Sequence, residues 1–190
     1  IQVGLLVLVV TAPAFIFFSQ KGPGAMHAPW LISLAAGLVV GGLSQVSRLC
    51  TVGGFRDLFL FKKSILIFGY LAVLIGVFVV NISFGNFHLG FENQPIAHTD
   101  GLWNFLGMAL AGFCSVLLGG CPLRQLIMTG EGNSDSAVTV LGLAAGAAFA
   151  HNFGLAASGA GPTLNGEIAV VVGFIVALII AVVNTKRANA

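Results

Sequence analysis

Charge is what this chain lacks most. Asp, Glu, Lys and Arg make up 7% of its 190 residues, against about 25% in a soluble domain. Too few polar groups are present to cover a globular surface, which excludes a water-soluble fold. The net charge of +2 is too small to suggest a nucleic-acid partner. Cysteine is sparse and odd in number: Cys50, Cys114 and Cys121. These form neither a disulfide framework nor a CxxC zinc pattern, and no metal or cofactor is expected. No glycine-rich stretch completes the GxxxxGK[ST] pattern, so ATP-driven pumping by this chain is not expected. Strict apolar–polar alternation is also missing, which favours helices over a β-barrel.

Apolar residues are abundant: 57% of the chain, with 26 glycines and a mean hydropathy of +1.02. The expected class is an all-α integral membrane protein in a lipid bilayer. Glycine suits it, because small residues let membrane helices approach closely. Six apolar segments are predicted, at about 1–18, 30–46, 64–84, 102–118, 137–157 and 167–183. Each approaches the roughly 20 residues a span requires. The division expected is 1–29, a first helix with an outer loop, and 30–187, one membrane domain. Because the chain opens on Ile1, a longer protein with an upstream part is expected.

The connections sort by charge. Arg48, Arg56, Lys62, Lys63, Arg124, Lys186 and Arg187 follow the second, fourth and sixth segments; only Lys21 falls on the other side. The positive-inside rule makes the basic side cytoplasmic and places both ends of this chain there. His88, Glu92 and His98 in the opposite loop read as solvated.

A weak repeat joins about 35–84 to about 105–157. "AAGLVVGGLSQVSRLC" ends at Cys50 and "LGMALAGFCSVLLGGC" ends at Cys121. After each comes a short apolar stretch with an arginine, "GGFRDLFLF" or "PLRQLIM", and then a full span. These stretches are too short to cross a bilayer and read as re-entrant half-helices. Paired broken elements are a sequence pointer to a transport site.

The chemistry of the two blocks is similar. Pro122 suits the first turn of a helix, which puts Cys121 at an N-cap, below Gly119 and Gly120. Free amides and a positive dipole end gather there and favour an anion. Arg124 adds charge on the same face. In the first block, Gly53 and Gly54 offer bare backbone for an anion nest, with Arg56 beyond. A thiol, free amides and an arginine suit a small anion carrying sulfur or selenium. His151 and Asn152, in the fifth segment, either form an interhelical hydrogen bond or line the pathway. Glu131 can pair with Arg124, and Asp135 can cap the next span. Cys114 reads as a packing residue. Two other functions stay open: a membrane thiol or persulfide enzyme using Cys50 and Cys121, and a structural subunit with no pathway.

The stretches "RLCTVGGFRD", "GGCPLRQLIMTGEGNSD" and "GLAAGAAFAHNFGLAAS" resemble the YeeE/YedE family of bacterial inner-membrane proteins, which transport sulfur compounds such as thiosulfate. Through "GEGN" and "AHNFG" the chain is more similar to the YedE branch, linked to selenium metabolism. The resemblance implies a permease, not an enzyme, with short helices entering from both sides. It implies cysteines at a constriction that pass thiosulfate along by S–H···S contacts; Cys50 and Cys121 match those motif cysteines. It also implies a small cytoplasmic sulfurtransferase partner of the TusA type. Family members are commonly about twice this length, so the chain resembles a C-terminal half that needs an upstream half or a second copy.

Overall fold

The computed structural model describes residues 3, 4, 7, 11, 28–90 and 98–188. The expected first span, 1–18, and the loop residues Lys21 and Glu92 lie outside these, apart from the four isolated positions, which are helical. Seven named helices follow: α1 (Trp30–Ser47), α2 (Thr51–Phe61), α3 (Ile65–Ser83), α4 (Gly101–Leu117), α5 (Pro122–Gly130), α6 (Ser134–Asn152) and α7 (Leu164–Ala188). No strand occurs among the described residues, beyond one isolated bridge between Ser158 and Gly161. The protein is all-α.

Among the described residues, four stretches are long and apolar enough to cross a membrane: Trp30–Phe61, Ile65–Ser83, Gly101–Gly130 and Leu164–Lys186. The first and third each join a long helix to a short one across a break. The fifth predicted segment, 137–157, is helical over Ser134–Asn152 but is not among those four. Ser134, Asp135 and Ser136 at one end and His151-Asn152 at the other dilute its apolar run. That helix also begins earlier than predicted. Asn133, not Asp135, is its cap, and its side chain accepts a 2.9 Å hydrogen bond from the Ser136 N–H. Asp135 sits in the first turn, where the helix dipole favours a carboxylate.

The polarity is inverted relative to a soluble core. Large apolar side chains face outward, Val46 at 87% exposure and Ile65 at 81%. The buried side chains include Ser44, Ser115, Gln125, Thr129 and Ser136. In lipid the tails match an apolar exterior, and polar groups must be satisfied inside.

Each short helix folds back on the long helix after it, α2 on α3 and α5 on α6. Gly54 makes the first of these possible. A Cβ there would stand 3.4 Å from backbone atoms of Leu66 and Ile67, so the two backbones nearly touch. The short helices also cross over. α5 packs on α1 and α2 packs on α4, while α7 packs on α4. This exchange brings the two helix breaks together.

Candidate functional site

Both breaks are built by the same hydrogen bonds. At the end of α1, the Arg48 N–H donates to the Gln45 carbonyl at 3.2 Å and the Leu49 N–H to the Ser44 carbonyl at 3.2 Å. At the end of α4, the Gly119 N–H donates to Val116 at 3.1 Å and the Gly120 N–H to Ser115 at 3.0 Å. This is the Schellman pattern, which turns the chain through one left-handed residue. That residue is Gly119 (φ +75°) in one break and Arg48 (φ 51°) in the other. A cysteine follows two positions later in both and caps the next short helix.

The caps differ. Cys50 Sγ accepts a 3.3 Å hydrogen bond from the Gly53 N–H. A Cβ at Gly53 would lie 3.3 Å from Cys50 Cβ and 3.4 Å from its sulfur, a tight contact against the capping side chain. Cys121 makes no capping bond of this kind. Its thiol lies among the backbone amides of Leu123 and Arg124, and also the amide of Thr51 and the thiol of Cys50 from the other break. The N-terminus of α2 thus presents a donor to the sulfur that heads α5. Both cysteines are buried, at 8% and 7% exposure, and both are free thiols. Cys114 is partly buried and free, one helical stretch earlier on α4.

Around the pair, Gln125 Nε2 donates to the Leu118 carbonyl at 2.9 Å and so satisfies an acceptor left open by the α4 break. Thr129 Oγ1 donates to the Gln125 carbonyl at 2.7 Å. Gly120 leans on Arg124, where an added Cβ would meet Cβ and Cγ at 3.5 Å. Arg124 Nη1 donates to Gln45 Oε1 on α1 at 3.2 Å and pairs with Glu131 at 3.6 Å. Arg124 therefore fastens the second break to the first. A cavity of about 520 Å³ opens beside it between α1 and α5, with Gly41, Gln45, Ile127 and Glu131 on its walls. Neither cysteine lines it.

Not every residue predicted for the site is gathered there. Cys50, Cys121, Gly53, Gly54, Gly120 and Arg124 lie on the two breaks and the helices they start. Arg56 does not join them. It is turned outward at 56% exposure and forks over Asp57 at 2.9 and 3.0 Å. His151 and Asn152 are exposed in the last turn of α6, not deep within a span. Asn152 Nδ2 bonds back to Ala148 of its own helix at 2.9 Å; no interhelical bond from that amide forms among the described residues. Gln45 and Gln125 were not singled out from the sequence. The available signal was a polar side chain inside an apolar, glycine-rich run, which is costly unless it has a partner.

The fold and the break geometry define a polytopic membrane protein with two thiols held at the mouths of two half-length helices. A profile of the Sulphur transport family matches residues 46–189, and the chain belongs to that family, the YeeE/YedE proteins. It is also similar to the thiosulfate transporter TsuA of Escherichia coli strain K12, 30% identical over 111 residues. That match covers 56% of this chain and 30% of the relative, so the chain spans less than a third of the relative's length there. No solved structure matches the chain.

Proposed function

We propose that the protein is a permease for a small sulfur-containing anion of the thiosulfate type, with Cys50 and Cys121 as its relay contacts. The observation that carries this reading is the meeting of the two thiols at the heads of two short helices from separate parts of the chain. Half-helix N-termini aimed at one point supply the donors and partial positive charge that a small anion needs. A thiol supplies a soft contact that a terminal sulfur can share. Arg124 adds a fixed charge beside the path, held in place by Gln45 and Glu131. Family membership and the similarity to a thiosulfate transporter support the same chemistry.

The finer parts of the reading follow from it. The substrate class includes selenium analogues, as the YedE-like stretches suggest. The short helices are re-entrant, residues 30–187 act as one transport domain, and the basic ends face the cytoplasm of a bacterial inner membrane. A TusA-like sulfurtransferase receives the sulfur there. An upstream half or a second copy completes the path.

Growth tests decide it. Cells lacking other thiosulfate uptake, given thiosulfate as sole sulfur source, should grow with the parent protein. They should fail with Cys50→Ala or Cys121→Ala at equal membrane abundance. Growth of both alanine forms at the parent rate would remove the relay. A second reading, a membrane thiol enzyme, draws on the same adjacency of thiols. It would show as a substrate-derived covalent adduct on Cys121 during turnover, detected by mass spectrometry of the intact protein.

A further inference from the structure

The two buried thiols are brought together by the body of the fold, not by a loop. Arg124, just past Cys121, donates to Gln45, just before Cys50, at 3.2 Å. α5 packs on α1 and α2 packs on α4. Within this frame the Cys50 thiol approaches the Cys121 sulfur as a hydrogen-bond partner. Both thiols are free and buried. The third thiol, Cys114, is also free. It lies in the body of α4 and is not among the groups around Cys121. The fold therefore selects one pair out of the three thiols before any chemistry begins.

Adjacent thiols do what a single one cannot. A single thiol that attacks a disulfide-like species carries the adduct until an outside reductant removes it. A second thiol beside it displaces the adduct and closes a protein disulfide. A path for thiosulfate admits the oxidised dimer of thiosulfate on the same grounds, as a small anion with divalent sulfur between charged ends. That dimer, tetrathionate, is an oxidant of thiols.

We propose that Cys50 and Cys121 form a reversible oxidation site for polythionates, and that the resulting disulfide closes the path. The closure rests on the permease reading, whereas the pairing of the thiols rests on the fold. In the first step one cysteine sulfur loses its proton to water and attacks a central sulfur of tetrathionate. The central S–S bond breaks, thiosulfate leaves with the bonding pair, and the cysteine keeps a thiosulfate group through a new S–S bond. In the second step the other cysteine sulfur loses its proton and attacks the first. The bond to the thiosulfate group breaks, a second thiosulfate leaves, and the disulfide forms. The two cysteine sulfurs give up two electrons, and one tetrathionate is reduced to two thiosulfates with release of two protons. The disulfide ties the head of α2 to the head of α5 and removes both soft contacts from the path. A thiol reductant restores the dithiol by exchange.

Purified full-length protein in detergent tests it, with tetrathionate as the probe and thiosulfate alone as the control. In the parent, the three free thiols should fall to one, and non-reducing peptide mapping should join Cys50 to Cys121. Thiosulfate alone should leave all three free. Cys50→Ser lacks the displacing thiol and should retain a thiosulfate adduct on Cys121. Cys121→Ser, which leaves the Cys50 cap in place, should retain the adduct on Cys50 and serves if Cys50→Ser does not fold. Cys114→Ala should form the disulfide as the parent does. In proteoliposomes, oxidation should abolish thiosulfate uptake and dithiothreitol should restore it. Three thiols persisting in the treated parent, stable adducts without a disulfide, or a disulfide that includes Cys114 overturns the site. Uptake unchanged after the disulfide has formed overturns the closure. Uptake absent before oxidation, with the disulfide still forming, removes the permease reading and leaves the oxidation site standing.

Discussion

The two helix breaks use the same hydrogen-bond pattern and still differ in what each leaves free. The first is self-sufficient. Cys50 is capped by its own helix through Gly53, and its nearby arginine, Arg56, is spent on Asp57 at the surface. The second is dependent. The Cys121 thiol looks to Thr51 and Cys50 of the first break as well as to the amides of its own helix, and Arg124 reaches across to Gln45. One break is a fixed frame and the other is fitted to it. Similar sequence therefore does not mean equal surroundings: the Cys50 sulfur accepts from its own helix at Gly53, whereas the Cys121 sulfur is also approached by the Thr51 amide and the Cys50 thiol of the other break.

Four changes would break or sharpen that contrast. The largest effect is expected from comparing serine and alanine at the two cysteines. Cys50→Ser keeps an N-cap oxygen for Gly53, whereas Cys50→Ala removes the cap at a cost of about 1 kcal/mol. Both should abolish thiosulfate uptake, but only the alanine form should also lower the unfolding midpoint in detergent. Next comes Gly54→Val, which sets a branched side chain against the Leu66–Ile67 backbone. Neither backbone can yield, and a loss of about 1–3 kcal/mol is expected in reversible detergent unfolding. A glycine change at the second break, Gly120→Ala, meets only ordinary contacts and should be nearly silent.

The third test exchanges the left-handed residues. Gly119→Ala should cost about 1–2 kcal/mol, since a Cβ is disfavoured at φ +75°. Arg48→Gly, at φ 51°, should instead stabilise the fold by about 0.5 kcal/mol, after the greater freedom of glycine in the unfolded chain is subtracted. A loss on Arg48→Gly would show that the arginine side chain holds something at that turn. The smallest effects are expected at the two ion pairs. Arg56→Gln should change stability by less than about 0.5 kcal/mol, because exposed pairs contribute little, and uptake should persist. Arg124→Gln should reduce uptake more than stability; equal responses at the two arginines would erase the distinction drawn between them.

Much of the second break was legible in the sequence. Two glycines, a cysteine and Pro122 at N1 spell a helix end and a helix start in four residues, and local chemistry decides them. Cys50 was legible by analogy with Cys121. The arginines were not separable, because sequence spacing shows reach and not partners. Asp57 beside Arg56 was the available signal, an adjacent counter-charge that outcompetes a more distant site. His151-Asn152 was read one layer too deep, since a break at Phe153 ends α6 where hydropathy continues. His98 was read as solvated, but its Nδ1 is buried. It lines one cavity with the starts of α4 and α7 and with Leu155 and Pro162, and no pattern within its own loop records that approach.

The crossing of the short helices, α5 on α1 and α2 on α4, has a consequence for biosynthesis. The chain emerges from its N-terminal side, so α2 exists before either α4 or α5. During that interval Cys50 has no partner from the second break, and its bond to Gly53 is the one that can form at once. Cys121 arrives when Thr51 is already in place. The self-capped break is the one made first, and the open break is the one made last. The order of synthesis and the order of dependence run the same way.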